Sequence, residues 1–572
     1  MLNENTRKDS CNIENSPFST KGTVIQNCTL RGFQNNGNMS IGSVDYGLVN
    51  RIEIINNGGG DKGGGIYNNA GRTCLIDAQS SDADSVRINA NKGNYGGGIY
   101  NDGTVTLKGT VAVSGNTASS SGGAIYNNQN LIINNGRILN NTAATYGGGI
   151  MNKNTLSVTG GEITGNRAVA NSGGGICNDG GTQGVATVLT ISNGKIYNNT
   201  SGKGSGIEQH GAYNPKMTVK GGWIYGNAGG YGIHNEAGTV EIKDGAGMGF
   251  SSWTNSTVFT SSNNGEGNIY NKGNLSVQGN ANAWICLAST TNFNINNVGT
   301  CTINSSGNYP VITGKSTHAV DNSGQMTIEK VLILNAQAGI YNSRNINING
   351  GGIYGCTAYG IYNTVTGNVI MGNADIHDNY IYGTGAGVYN LGTYTMASGY
   401  IRNNTSSGGG GVQNNGIFNL KGGEIKDNRS GRLGGGVRND GTFTMSGGGI
   451  YGNTAASGGG GIFSGRNNDL IISGGTIKNN KVSSGNGGGI YTDTHSAKTL
   501  SLTNTTITGN TVTGGNGGGV YYNASVTLEG NNISSNSAVK GGGIVFGGSG
   551  NTLKSGSVAN NTATSWGEGI QV

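Results

Sequence analysis

The stretch 147–166, GGGIMNKNTLSVTGGEITGN, constrains the fold more than any other feature, because nearly the whole chain repeats it with variation. It holds three short apolar runs divided by glycine and asparagine. The first is a glycine triplet followed by Ile150 and, two places on, Asn152. The second is Leu156-Ser157-Val158, and the third is Ile163-Thr164-Gly165-Asn166. Ile163 lies 13 residues after Ile150, and Ile176 lies 13 after Ile163, where GGGICN restarts the cycle. A period of about 26 residues is the signature of stacked repeats.

The first run returns at Ile66, Ile99, Ile125, Ile207, Ile361, Val412, Val437, Ile490 and Ile544, among others. The third returns as an aliphatic residue with Asn three places on, as in Ile88/Asn91, Ile138/Asn141, Ile425/Asn428, Ile477/Asn480 and Ile533/Asn536. Between them lie middle runs such as Thr104-Val105-Thr106-Leu107. Apolar–polar alternation over three to five residues reads as strand, and glycine and asparagine both oppose helix. The pattern predicts an all-β chain: a right-handed, single-stranded parallel β-helix (solenoid) of about twenty turns, each of three short strands. Successive turns then lie about 4.8 Å apart, and the aliphatic residue of each run stacks into a shared interior. One turn buries too little to stand alone, so stability must propagate along the axis.

Composition taken without the period would mislead. Of 572 residues 113 are glycine and only 33% are hydrophobic, a profile otherwise typical of disorder. No composition break divides the chain. We read one continuous solenoid with a polar N-terminal segment at 1–22, turns over 23–244, irregular turns over 245–335 and regular turns over 336–572. Insertions at 77–86, 179–187 and 208–216 are expected to bulge from corners. Asn at the corners tolerates left-handed backbone angles and, stacked turn upon turn, forms an amide ladder.

Other classes find little support. The 34 basic and 28 acidic residues are spread evenly, so no nucleic-acid patch emerges. The longest aliphatic block is Val331 to Leu334, so no transmembrane segment is expected. The N-terminus lacks the apolar core of a signal peptide, and no anchor motif is visible. The last residues fall within a first strand, an edge that continued chain, a cover or end-to-end self-association would close. Seven cysteines show no CxxC, so no metal or cofactor is expected; Cys177 and Cys356 occupy repeat positions as small buried hydrophobes.

The candidate binding feature is the residue after the first-run aliphatic. It is aromatic at Tyr67, Tyr100, Tyr126, Tyr270, Tyr341, Tyr362, Tyr389, Phe463, Tyr491 and Tyr521. With Ile inward, these rings point outward as an interrupted stripe suited to stacking on a sugar or docking a protein. The competing reading is that they pair only with one another. Catalysis of the lyase or glycosidase type needs clustered carboxylates with a base. The densest candidates are Asp375-Ile376-His377-Asp378, Asp493-Thr494-His495 and Glu208-Gln209-His210, the last two on inserted corners. None shows paired carboxylates on adjacent turns. Outward threonines such as Thr104/Thr106, Thr393/Thr395 and Thr442/Thr444 read as ordinary solvent-facing strand.

Gly122-Gly123-Ala124-Ile125, followed by aliphatic-x-x-Asn, resembles the GGAI and FxxN tetrapeptides of polymorphic outer membrane protein repeats, with Ile or Val in place of Phe. More closely, the chain is similar over 47–572 to bacterial adhesin-like right-handed β-helix repeat proteins with GGGIYN…ITGNTA units. The resemblance implies an extracellular or cell-surface adhesin-type role, presenting a long polar face to a glycan or surface protein. A carbohydrate-active enzyme on the same fold, and a structural stalk or filament element, are the alternatives.

Overall fold

The computed structural model describes residues 12–14, 23–43, 52–78, 85–255, 258–261, 263–279, 286–289, 293–493 and 499–572. Sequence features at Leu48-Val49, Trp284-Ile285 and Thr494-His495 therefore lie outside the described residues. The described chain is all β, with no helix, and forms a parallel β-solenoid of about twenty turns. It divides into two compact units, residues 1–301 with 305–311 and residues 302–304 with 312–572.

In the first unit a representative turn runs through Ile125–Asn127, Asn130–Asn134 and Arg137–Leu139. Each strand pairs in parallel and in register with its counterpart one turn on. Ile125 lies opposite Ile150, Leu131 opposite Leu156, and Ile138 opposite Ile163. Burial follows the chemistry of the pattern. The first strand turns its Ile and Asn inward and its middle residue outward, the second alternates out and in, and the third buries only its central aliphatic. Ile125, Leu131, Ile133 and Ile138 are all 0% exposed. The second unit repeats the plan, with Val412–Asn414, Ile417–Leu420 and Glu424–Lys426 as one turn. Its interior stacks rings as well as aliphatics: Tyr394 on Phe418 at 4.9 Å and Phe418 on Phe443 at 5.7 Å.

A short fourth strand follows the third in part of each unit, beyond the three that the apolar runs mark. It is only two residues long at Thr117–Ala118, Thr142–Ala143 and Arg429–Ser430, and its inward residue is small. In the second unit Ala455, Val482, Val512 and Ala538 line up there as a buried strip. Whether two residues long or six, as at Lys481–Asn486 and Thr511–Asn516, each of these strands carries a single inward apolar residue and so leaves no apolar run to read.

Asparagine forms two ladders in each unit. At the end of the first strand, the Nδ2 of Asn101, Asn127 and Asn152 donates to the Oδ1 of Asn127, Asn152 and Asn178 at 2.7, 2.7 and 2.8 Å. At the end of the third strand, Asn116, Asn141 and Asn166 do the same at 2.9 Å, and the backbone N–H of each also donates to the next Oδ1. The left-handed backbone falls elsewhere than on the ladder residue. It sits one place earlier, at Asn140 (φ 54°), Gly165 (φ 67°) and Asp427 (φ 54°). The Ile-x-x-Asn run thus splits its work: the third residue turns the corner and the fourth bonds along the axis. The glycine triplet is set by contact between turns. Gly147 has φ +63°, and a Cβ on Gly148 would lie 2.3 Å from the Arg167 carbonyl carbon, closer than any side chain tolerates.

Candidate functional site

The aromatic stripe occupies the outward middle position of the first strands, where turns about 4.8 Å apart bring rings face to face. Tyr100 stacks on Tyr126 at 5.2 Å with 1° between planes, and Tyr67 meets Tyr100 edge-on at 5.5 Å. Tyr341, Tyr362 and Tyr389 stack at 5.1 and 5.2 Å. Phe463, Tyr491 and Tyr521 follow at 5.4 and 5.5 Å, and Tyr270 stacks on His234 at 4.5 Å. Further rings pack on the flank: Tyr95 against Tyr126 at 5.1 Å, Tyr231 against Tyr270 at 5.6 Å and Tyr359 against Tyr362 at 5.2 Å. Tyr100 and Phe463 are consequently only 6% and 5% exposed, and the other eight are half-buried. Burial raises the phenol pKa of Tyr67, Tyr126 and Tyr362 above its ordinary value. The stripe offers ring edges and hydroxyls rather than open faces; Tyr67 Oη donates to Asp102 at 3.0 Å and Tyr100 Oη accepts from Asn128 at 2.7 Å.

In the first unit this column is interrupted by Cys177, Glu208 and His234, which stand in register with one another. Glu208, Gln209 and His210 lie on the first strand Gly204–His210, not on an inserted corner as their sequence neighbourhood suggested. Gln209 replaces asparagine in the ladder, accepting from Asn178 at 3.0 Å and donating to Asn235 at 3.1 Å. His234 Nδ1 lies 3.0 Å from Glu208 Oε2. Cys177 Sγ is 3.2 Å from His210 Nε2, His210 Nδ1 is 3.6 Å from Asp179, and Lys153 clamps Asp179 at 2.6 Å. The order thiol–imidazole–carboxylate is that of a nucleophile, base and orienting group. Yet Cys177 is 0% exposed, and burial together with the Glu208 and Asp179 carboxylates raises its pKa well above the ordinary value. A covered thiol that holds its proton packs the column and attacks nothing.

The other carboxylate candidates are engaged singly. Asp375 forms a bidentate pair with Arg402 on the next turn at 2.7 and 3.0 Å, while His377 contacts Asp378 at 2.7 Å and stacks on Tyr354 at 4.8 Å. Asp493 lies 3.8 Å from Arg466. The outward threonines at 104, 106, 393, 395, 442 and 444 are half-buried strand residues. Among the described residues no three of His, Cys, Asp and Glu converge to hold a metal ion, and no helix is long and apolar enough to cross a membrane.

The third strand carries a feature that the aromatic count passes over. The residue before its buried aliphatic faces outward, and three consecutive turns place Glu162, Lys195 and Trp223 there in register. The corner beside them is Gly160-Gly161, then Asn193-Gly194, so three of its four residues leave the backbone bare and the fourth, Asn193, accepts from the Gly194 N–H at 2.8 Å. Gly161 has φ +91°, and a Cβ on it would lie 2.0 Å from the Gly136 carbonyl oxygen. Side chains on one side and glycine on the other line an open, shallow cavity of about 310 Å³, with Asn135 and Trp223 both in its wall. Trp223 is braced edge-on by buried Phe250 at 5.0 Å, and the next turn places Gly247 opposite it. Glu162 lies 3.6 Å from Arg137. Tyr197, one residue past the buried Ile196, stacks on Tyr225 at 5.1 Å, and burial together with Glu162 raises its pKa. In the second unit the outward residue after the aliphatic, rather than before it, forms the row Arg402, Lys426 and Tyr451 in register, with Lys426 Nζ 4.4 Å over the ring of Tyr400, which precedes Ile401. The sign was present in sequence as the residues on either side of each third-run aliphatic.

No family model, curated protein or solved structure shows significant similarity to this chain.

Proposed function

We propose that the chain is a binding scaffold of the adhesin-like type, displayed outside the cell or on its surface, that presents a long face of its solenoid turns to a glycan or protein partner. The supporting observation is the third-strand face. In each unit it holds aromatic and charged side chains outward, in register, on successive turns, with Trp223 half-buried, Tyr400 39% exposed and Tyr197 half-buried. Ring faces and edges beside fixed charges recognise sugars and protein surfaces alike, and parallel stacking repeats the contact at a constant spacing. Many weak contacts at fixed spacing sum to useful avidity without any single deep pocket. The GGAI-like and aliphatic-x-x-Asn units support the adhesin assignment by their resemblance to surface-displayed repeats.

The test is an array of glycans and extracellular proteins probed with the full chain, followed by product analysis of every positive feature. Capture without chemical change supports the scaffold. Cleaved glycan would replace it with the enzyme reading, and an array with no captured partner would refute it.

A further inference from the structure

The trench between Asn135 and Trp223 carries more chemistry than a general docking face. Three features coincide there. Trp223 is half-buried and held by Phe250, so its orientation is set before any ligand arrives. Gly160, Gly161 and Gly194 add no side chain of their own to the floor, so the only side chains there are the amides of Asn135 and Asn193, the latter accepting from the Gly194 N–H at 2.8 Å. Lys195, exposed between Glu162 and Trp223, makes no ion pair among the described residues, whereas Glu162 is matched by Arg137. With Arg137 set against Glu162 from outside the lining, the group Arg137, Glu162 and Lys195 carries one net positive charge. From Asn135 to Trp223 the wall spans three inter-turn spacings, about 14 Å, room for more than one sugar ring.

We propose that this trench is a saccharide site selective for acidic sugars: a pyranose ring packs against Trp223, its carboxylate or sulfate pairs with Lys195, and Asn135 and Asn193 take hydroxyls from the neighbouring ring. The proposal rests on the scaffold reading above and names the ligand class of one site within it. Ring packing supplies affinity that tolerates many sugars, while the ammonium supplies the preference for the anionic ones and makes binding fall with ionic strength.

Calorimetric titration of the full chain tests it with three tetrasaccharides: hyaluronan (uronate), chondroitin sulfate (uronate and sulfate) and chitotetraose (neutral). At least one acidic probe is expected to bind ten-fold or more tightly than chitotetraose, and tighter binding of the sulfated probe identifies sulfate as the paired group. Trp223→Leu should weaken every probe at least ten-fold, with Trp223→Phe restoring part of the loss. Lys195→Gln, at an exposed position that the fold does not need, should bring the acidic probes down to the neutral one. Equal affinity for chitotetraose and the acidic probes overturns the proposal, as does unchanged affinity in both Lys195→Gln and Trp223→Leu. If no tetrasaccharide binds while the chain still captures a partner on the array, this site assignment fails and the scaffold reading stands. If the array is also empty, both fail.

Discussion

Replacing Asn141 by alanine isolates what an asparagine ladder contributes. Asn141 is 0% exposed and makes four hydrogen bonds through its side chain. Its Nδ2 donates to Asn166 Oδ1 and to the Val113 carbonyl, both at 2.9 Å. Its Oδ1 accepts from Asn116 Nδ2 and from the Asn116 backbone N–H, again at 2.9 Å. The two acceptors it serves are not left bare in equal measure: Asn166 Oδ1 keeps the Asn141 backbone N–H at 3.0 Å. The two donors it receives fare worse: in Asn141→Ala the Asn116 backbone N–H and one of the two Asn116 Nδ2 hydrogens lose their acceptor in a dry interior, while the other Nδ2 hydrogen keeps the Ile88 carbonyl at 2.9 Å. At roughly 1–3 kcal/mol for each buried donor left unmade, the loss comes to about 4 kcal/mol. Alanine fills none of the vacated space, so relaxation offers little relief. A solenoid opens turn by turn, so the appropriate assay is native-state hydrogen exchange, resolved by residue, with urea unfolding alongside. Exchange at the Asn116 amide should accelerate nearly a thousandfold, at about 1.4 kcal/mol per tenfold, and neighbouring turns should follow in order of distance. Asn140→Gly is the internal control: one residue away, exposed, with φ 54°, it should be neutral or slightly stabilising, since glycine adopts that angle freely. A loss below about 1 kcal/mol in Asn141→Ala would show that water or a neighbouring group satisfies the orphaned donors, and would refute the ladder as a stabilising element.

Ile425, fully buried between Ile401 and Ile450 in the third-strand column, should cost about 2–5 kcal/mol on truncation to alanine; a urea midpoint that does not move would place that column outside the core. Tyr362→Ser removes two stacking contacts, with Tyr341 and Tyr389, and should destabilise by about 1–3 kcal/mol, whereas an unchanged melting curve would show that the stripe is idle structurally and free to serve a ligand. Burial pushes the thiols of Cys74, Cys301 and Cys356 up to about 12 from 9.0. The folded chain therefore holds protons that the unfolded chain releases above pH 9, so their contribution is intact below pH 9 and drains away between pH 9 and 12. Thermal melts should fall across that window, less steeply in a Cys74→Ala, Cys301→Ala, Cys356→Ala triple variant, and equal slopes would count against it. Gly161→Ala should destabilise the first unit and displace the trench floor, because φ +91° and the 2.0 Å contact with the Gly136 carbonyl oxygen both oppose a Cβ; a variant that melts and binds like the parent would refute the reading of the floor.

The sequence alone determined the interior of the three main strands, though not the strip of Ala455, Val482, Val512 and Ala538 on the fourth. Every turn must meet the same demand at the same spacing, so Ile125, Ile150 and Ile176, or Asn116, Asn141 and Asn166, are forced into columns that can be counted along the chain. Local pattern and tertiary neighbour coincide there because the repeat makes them one thing. The outer surface obeys no such identity. Glu162 and Lys195 are 33 residues apart and Lys195 and Trp223 are 28, since the 179–187 insertion and the 211–215 loop stretch those turns unequally, and only parallel pairing restores them to register. The same pairing sets Cys177 against His210 across 33 residues and moves Glu208 from a supposed corner onto a strand. It also decides which outward rings cover one another and which, like Trp223 beside Gly247, keep a side open. Periodicity specifies what faces in; what faces out depends on the lengths of corners, and those are known only once the turns are stacked.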